Sequence, residues 1–368
     1  MKQKESSLAI GKNVGRNSKI ELLRIIAMVI IFIGHWLGQS GVQFQGSNRI
    51  LVYFLGSGGR ISAGLFLLIS AYFLCDLSFK TKRAINIWLQ MFFYNFVIGG
   101  ICFLFVRHGA FSFIKGFCPI FGGHCWFGMA YIIWLLFMPV MQTICKKLPD
   151  KLMLYFVIIQ VLFFSIEPTV HSLQDSKIAV ITWFCFVYYL MYFLKHNTYS
   201  PINSKLYKKT PSYIFILAGL LIYILLVSIK LNISNELILK AINEFLADYK
   251  SVPSFMIGML LLIGTIKSKP VQCNVINFIS KKTFAVYLIH QNGLLIPYLW
   301  KDIFKANLVV NYSTGKLLIY ILIIITITFS SAILLEFIRE LVHKLISRWK
   351  IYINLCLKLD AYIMKINE

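Results

Sequence analysis

The side chains with the clearest chemical potential lie in the first apolar run: Glu21, Arg24 and His35. Glu21 and Arg24 are three residues apart, so a helix puts them on one face as an ion pair. Arg24 and His35 are eleven apart, close to three whole turns, so they share that face at about 16 Å along the axis. Ionisable groups inside an apolar span are costly and face a bundle interior or a cavity. A histidine there takes a proton from a hydroxyl nucleophile or gives one to a thiol leaving group. An arginine grips a phosphate or pyrophosphate through paired hydrogen bonds, and Glu21 would orient it. The plainer alternative is a structural ion pair at the start of the helix, with one hydrogen-bonded core histidine.

Such a stripe needs a membrane scaffold, and the composition supplies one. Of 368 residues, 58% are hydrophobic and only 14% charged, where soluble chains carry about 25%. Mean hydropathy is +0.74. Long apolar runs recur from end to end without the alternation of a barrel, which predicts an all-α integral membrane protein. Ten spans are expected, at 20–39, 51–75, 84–106, 124–145, 151–167, 178–195, 212–231, 251–266, 275–300 and 316–338. They form one membrane domain, 20–338, between an N-terminal tail, 1–19, and a basic amphipathic tail, 339–368. The stretch at about 230–250 predicts a further short amphipathic helix. The first apolar run is read as a retained span, because no small-residue cleavage site follows it.

The net charge of +23 has a topological reading. With the N-terminus cytoplasmic, 25 lysines and arginines fall in inner segments and 11 in outer ones. That bias predicts both termini inside. The charge is therefore an inner basic collar rather than a nucleic-acid surface. Part of it would also suit an anionic cofactor approaching from the cytosol. The eight cysteines are scattered and have no zinc spacing, so no metal is expected. No nucleotide-binding loop or metalloprotease motif is present.

Further motifs follow in order. Leu65-Phe66-Leu67-Leu68-Ile69-Ser70-Ala71-Tyr72 lies in the second span, and Lys80-Thr81-Lys82-Arg83 precedes the third. His124-Cys125-Trp126-Phe127 begins the fourth, and Phe284-Ala285-Val286-Tyr287-Leu288-Ile289-His290 lies in the ninth. With Arg24, ten residues and His35, this ordered set resembles the membrane acyltransferase 3 family. Its signatures are R-x10-H preceded by an acid, FFxLSG(F/Y), a basic start to the third span, H-x-W-F and (G/A)-x-YLIH. Two departures stand out: Ala71 replaces the usual glycine, and Asn86 stands near a common arginine.

The resemblance implies an O-acyltransferase in a cell membrane, the bacterial cytoplasmic membrane by preference. It would move acetyl from cytosolic acetyl-CoA to a hydroxyl of an extracytoplasmic polysaccharide or lipid-linked glycan, as in capsule or exopolysaccharide synthesis. His35 would be the general base or a transient acyl carrier, with Arg24 and Glu21 in support. His290, about seven residues past Thr283 and so nearer the inner side than His35, would contact the cofactor or buttress the site, or be a buried histidine satisfied by a neighbour. Ser70 would donate to a thioester oxygen, or merely to its own helix. Lys82 and Arg83 would bind CoA phosphates, or only set orientation. His124 and Trp126 would bind sugar, the indole stacking on a pyranose face, or anchor the interface. A homodimer is compatible with this reading. The competing class is a glycan flippase or transporter whose intramembrane charges line a polar path.

Overall fold

The computed structural model describes residues 16–106, 125–170, 177–346 and 350–367, and every regular element among them is helical. Helix α1, Ser18–Ser40, carries the stripe. The Asn17 side chain caps it by accepting from the Lys19 amide, and Gly41 ends it in the left-handed region at φ 71°. Helices α2, Gly46–Gly56, and α3, Gly59–Leu74, fold back beside it. The crossing is tight: a Cβ on Gly34 would lie 3.1 Å from the Gly56 carbonyl oxygen and 3.2 Å from the Gly59 Cα. Small residues let apolar helices approach in this way, where lipid offers no hydrophobic drive to associate.

Helices α4, Thr81–Val106, and α5, Trp126–Lys147, close the other side of the core. Helix α6, Asp150–Val161, runs through a π turn at Leu162–Ile166 into α7, Glu167–Val170. Helix α8 spans Lys177–His196 and the short α9 spans Lys205–Lys209. Helix α10, Ser212–Asn232, leads to α11, Glu236–Ala247, which is the amphipathic helix expected there. Asn235 caps α11, and Ile242 and Leu246 are its buried side chains. Helix α12, Val252–Lys267, is followed by two short helices, α13, Asn274–Ser280, and α14, Thr283–His290. A single turn, α15, Ile296–Tyr298, precedes α16, Thr314–Ile346, and α17, Lys350–Asn367.

Among the described residues seven helical stretches are long and apolar enough to cross a membrane, or eight if α11 and α12, bent by 43°, form one broken span. This falls short of the ten expected. The segment 275–300 shows why: its apolar residues are shared among short helices interrupted at Lys281 and at Gln291–Leu295. A hydropathy window sums across such breaks. At the other end, α16 continues to Ile346 without a boundary at 338. Helix α17 is held against the bundle, where Asp360 accepts from the Thr81 amide at 2.7 Å and the Tyr352 hydroxyl bonds Asn86 at 3.1 Å.

Buried polar side chains are gathered into networks. Glu336, on α16, accepts from Arg339 at 2.7 Å, and from Gln90 and Tyr94 of α4 at 3.1 Å each. At the end of α3, Asp76 accepts from Lys195 and from His196 at 3.0 Å, which ties that end to α8. Cys75, Asp76 and His196 bring three metal-type ligand atoms within 4.8 Å, but the Lys195 ammonium already engages the carboxylate. Burial pushes the Asp76 carboxyl up, and the hydrogen bonds from His196 and Lys195 outweigh it, so its pKa lies below the ordinary value. A depressed carboxylate contributes stability above its unfolded pKa and loses it as pH falls through the folded one. The melting temperature of the wild type is therefore expected to exceed that of Asp76→Asn at neutral pH. The gap closes as the pH drops below about 3.9. A gap that persists in acid, measured by thermal scans in detergent, would contradict the clamp.

Candidate active site

The stripe on α1 faces two cavities. His35 lines the larger, about 580 Å³, together with Gly38, Gln39, Arg60, Trp126 and Gln291. Arg24 lines the smaller, about 310 Å³, with Arg16, Ser70, Tyr131, Ser280 and Lys281. Phe66, Phe127 and Phe284 belong to both linings. Three phenylalanines from α3, α5 and α14 thus form the constriction between the space at His35 and the space at Arg24.

His35 does not stand alone. Its Nδ1 lies 3.0 Å from Nε2 of His290, which is fully buried. The other nitrogen of His290, Nδ1, lies 2.7 Å from the Val286 carbonyl oxygen. That oxygen can only accept, so Nδ1 of His290 donates. In the neutral pair Nε2 of His290 is then an acceptor, and Nδ1 of His35 must donate to it. The proton inventory leaves Nε2 of His35 as a lone-pair base. Phe32 and Tyr287 pack edge-on against the His290 ring, with centroids 5.2 and 5.9 Å away, and hold it in place. One turn along α1, Gln39 extends the same pattern: it donates to Gln291 at 3.3 Å and accepts from Trp300 at 2.9 Å.

At the other end of the stripe Glu21 is fully buried. It accepts from Arg24 at 2.9 Å and also from Arg16 and Ser280. The Arg24 guanidinium sits between the rings of Phe66 and Phe73, 5.8 Å from each centroid. Glu21 thus takes one side of the fork, and Arg24 Nε has no hydrogen-bond partner among the described residues.

A family model described as an acyltransferase domain matches residues 17–336. The chain belongs to the acyltransferase 3 family. No curated protein and no solved structure matches it. The matched span begins at the Asn17 cap of α1 and ends at Glu336, so it contains every lining residue of both cavities except Arg16. The chain is accordingly a multi-pass membrane protein with an acyltransferase domain.

In this acyltransferase the expected site residues are distributed unevenly. His35 and Trp126 share the larger cavity, where the indole stacks on Tyr249 at 6.1 Å and 11°. Arg24 and Ser70 share the smaller one, and the Ser70 hydroxyl donates to the Phe66 carbonyl of its own helix at 2.9 Å. Lys82 and Arg83 line neither cavity, and Arg83 bonds the Ser78 carbonyl oxygen. His124 lies outside the described residues. His290 was expected nearer the inner side than His35. Its ring nevertheless reaches that of His35, with Nε2 at 3.0 Å from Nδ1 of His35.

Sequence reasoning missed Gln39, although it stands four residues after His35 on the same face. It counted Arg60 and Lys281 only among the outer and inner basic residues, and did not single out Ser280. The phenylalanine constriction has no local signal at all.

Proposed function

We propose that this chain transfers an acetyl group from cytosolic acetyl-CoA to a hydroxyl of an extracytoplasmic glycan, polysaccharide or lipid-linked. The observation that carries the reading is a pair of cavities that share the walls of Phe66, Phe127 and Phe284, with His35 lining one and Arg24 the other. The smaller cavity would face the cytosol and receive the CoA end, with Arg16, Arg24 and Lys281 as phosphate partners. The unpartnered Nε of Arg24 suits such a ligand. The pantetheine arm would pass Phe66, Phe127 and Phe284, and about 16 Å of helix rise from Arg24 to His35 matches an extended arm in scale.

In the larger cavity Nε2 of His35 takes the proton of the acceptor hydroxyl as its oxygen attacks the thioester carbonyl. A carbon–oxygen bond forms and the carbon–sulfur bond breaks. The departing thiolate then collects the proton from His35. His290 keeps the imidazole in the reactive tautomer throughout. This disposition agrees with a cytoplasmic N-terminus, the bacterial cytoplasmic membrane and the basic bias of the inner segments.

The test is to supply isotope-labelled acetyl-CoA and oligosaccharides to the purified protein in nanodiscs. Label on a sugar hydroxyl supports the transfer, and label that stays on CoA or water with every acceptor counts against it. The constriction makes a separate forecast. Phe284→Ala is expected to raise butyryl transfer relative to acetyl by about tenfold, since hydrophobic gates discriminate by size at that scale. An unchanged ratio would show that the constriction does not select the acyl chain.

A further inference from the structure

The larger cavity carries charge of one sign. Arg60 and Lys230 line it, and no aspartate or glutamate does among the described residues. A third cavity of about 320 Å³ adjoins it, with Gly38, Gly56, Ser57 and Lys230 in both linings. That neighbour adds Arg49 and again no acid. Arg49 and Lys230 lie on one aromatic ring, 5.5 and 4.9 Å from the centroid of Tyr53. Three cations thus line the path formed by these two adjoining cavities, and none of them has an ion-pair partner among the described residues. Like charges held side by side destabilise the fold unless an anion comes between them. The nearby acids are placed otherwise: Glu244 lines neither cavity, and Asp248 pairs with Lys250 at 3.7 Å.

We infer that the acceptor is an anionic glycan, whose carboxylate or phosphate is read by Arg60, Lys230 and Arg49 while Trp126 meets a sugar face. The inference rests on the larger cavity being the acceptor's seat. It adds the class of acceptor, which the His35 chemistry leaves open. Arginine forks match carboxylate and phosphate in geometry, so the site offers bonds that a neutral sugar cannot use.

Binding separates this inference from the transfer reaction. The probes are trigalacturonate, its neutral methyl ester, and glucose 1-phosphate, each titrated into full-length protein in nanodiscs of neutral lipid. Trigalacturonate or the sugar phosphate is expected to bind at least about tenfold more tightly than the ester. The preference should weaken as salt rises from about 0.05 M to about 0.5 M. Arg60→Gln and Lys230→Gln should each reduce anion binding and leave the ester unchanged. Which anion binds better distinguishes a sugar carboxylate from a glycan phosphate. Nanodiscs with anionic lipid serve as the competing arm: if such lipid abolishes anion binding, the path is a headgroup site and the inference fails. Equal binding of ester and anion also overturns it. Should a glutamine variant fail to fold, Arg60→Lys with the wild-type salt dependence decides the matter. Charge-selective binding without any acyl transfer would sustain this inference and overturn the transfer.

Discussion

Acyl transfer is expected to fall by about 10²- to 10⁴-fold in His35→Ala, the usual worth of a positioned general base. His290 divides the effect further. It lines neither cavity and is fully buried, so it acts through His35. In His290→Leu the Nδ1 proton of His35 loses its acceptor at 3.0 Å, and the ring is free to present the wrong nitrogen. A loss of about 10- to 100-fold in kcat is expected, as for other groups that fix a histidine tautomer. His290→Gln places an amide oxygen near the former Nε2 and is expected to recover part of the rate. KM for acetyl-CoA should hardly move in either variant, because the smaller cavity, the proposed seat of CoA, is untouched. If leucine and glutamine variants are equally slow, or if KM rises as much as kcat falls, His290 is only a packing residue.

The α1 side of the candidate site was legible in part because α1 is one unbroken helix. On such a helix spacing translates into direction, so Glu21, Arg24 and His35 fall where their numbers put them. The partner of His35 was not legible in the same way. His290 belongs to the broken segment 275–300, whose turn at Gln291-Asn292-Gly293 hides within an apolar run. The Asn292 side chain accepts from the Leu294 amide at 3.1 Å and lets the chain leave the helix. The ten spans are not confirmed, 275–300 being one place where a hydropathy window sums across breaks, and the constriction was missed for another reason. Phe66, Phe127 and Phe284 are ordinary apolar residues in three separate elements, and only their convergence gives them a role. Arg60 and Lys230 read as loop charges because exposure, not type, distinguishes a cavity cation from a solvated one.

The largest stability effect is expected at Glu21. Its carboxylate is fully buried and receives Arg24 at 2.9 Å, Arg16 and Ser280. Glu21→Leu leaves the Arg24 guanidinium, with 13% of its side chain exposed, without its counter-charge in an apolar bundle. Removing one partner of a buried ion pair costs about 3–5 kcal/mol, while replacing both by apolar groups is often neutral. The double variant Glu21→Leu/Arg24→Met is therefore expected to recover most of the melting temperature lost by the single one. Acetyl-CoA binding would not recover with it, because Arg24 is the proposed phosphate partner. The two readouts separate the roles of the pair: folding needs the charges balanced, whereas the donor cavity needs the arginine itself. A double variant that melts as low as the single one would assign the loss to packing around Ser280 and Phe66. A double variant that still binds acetyl-CoA at wild-type affinity would remove Arg24 from the donor site.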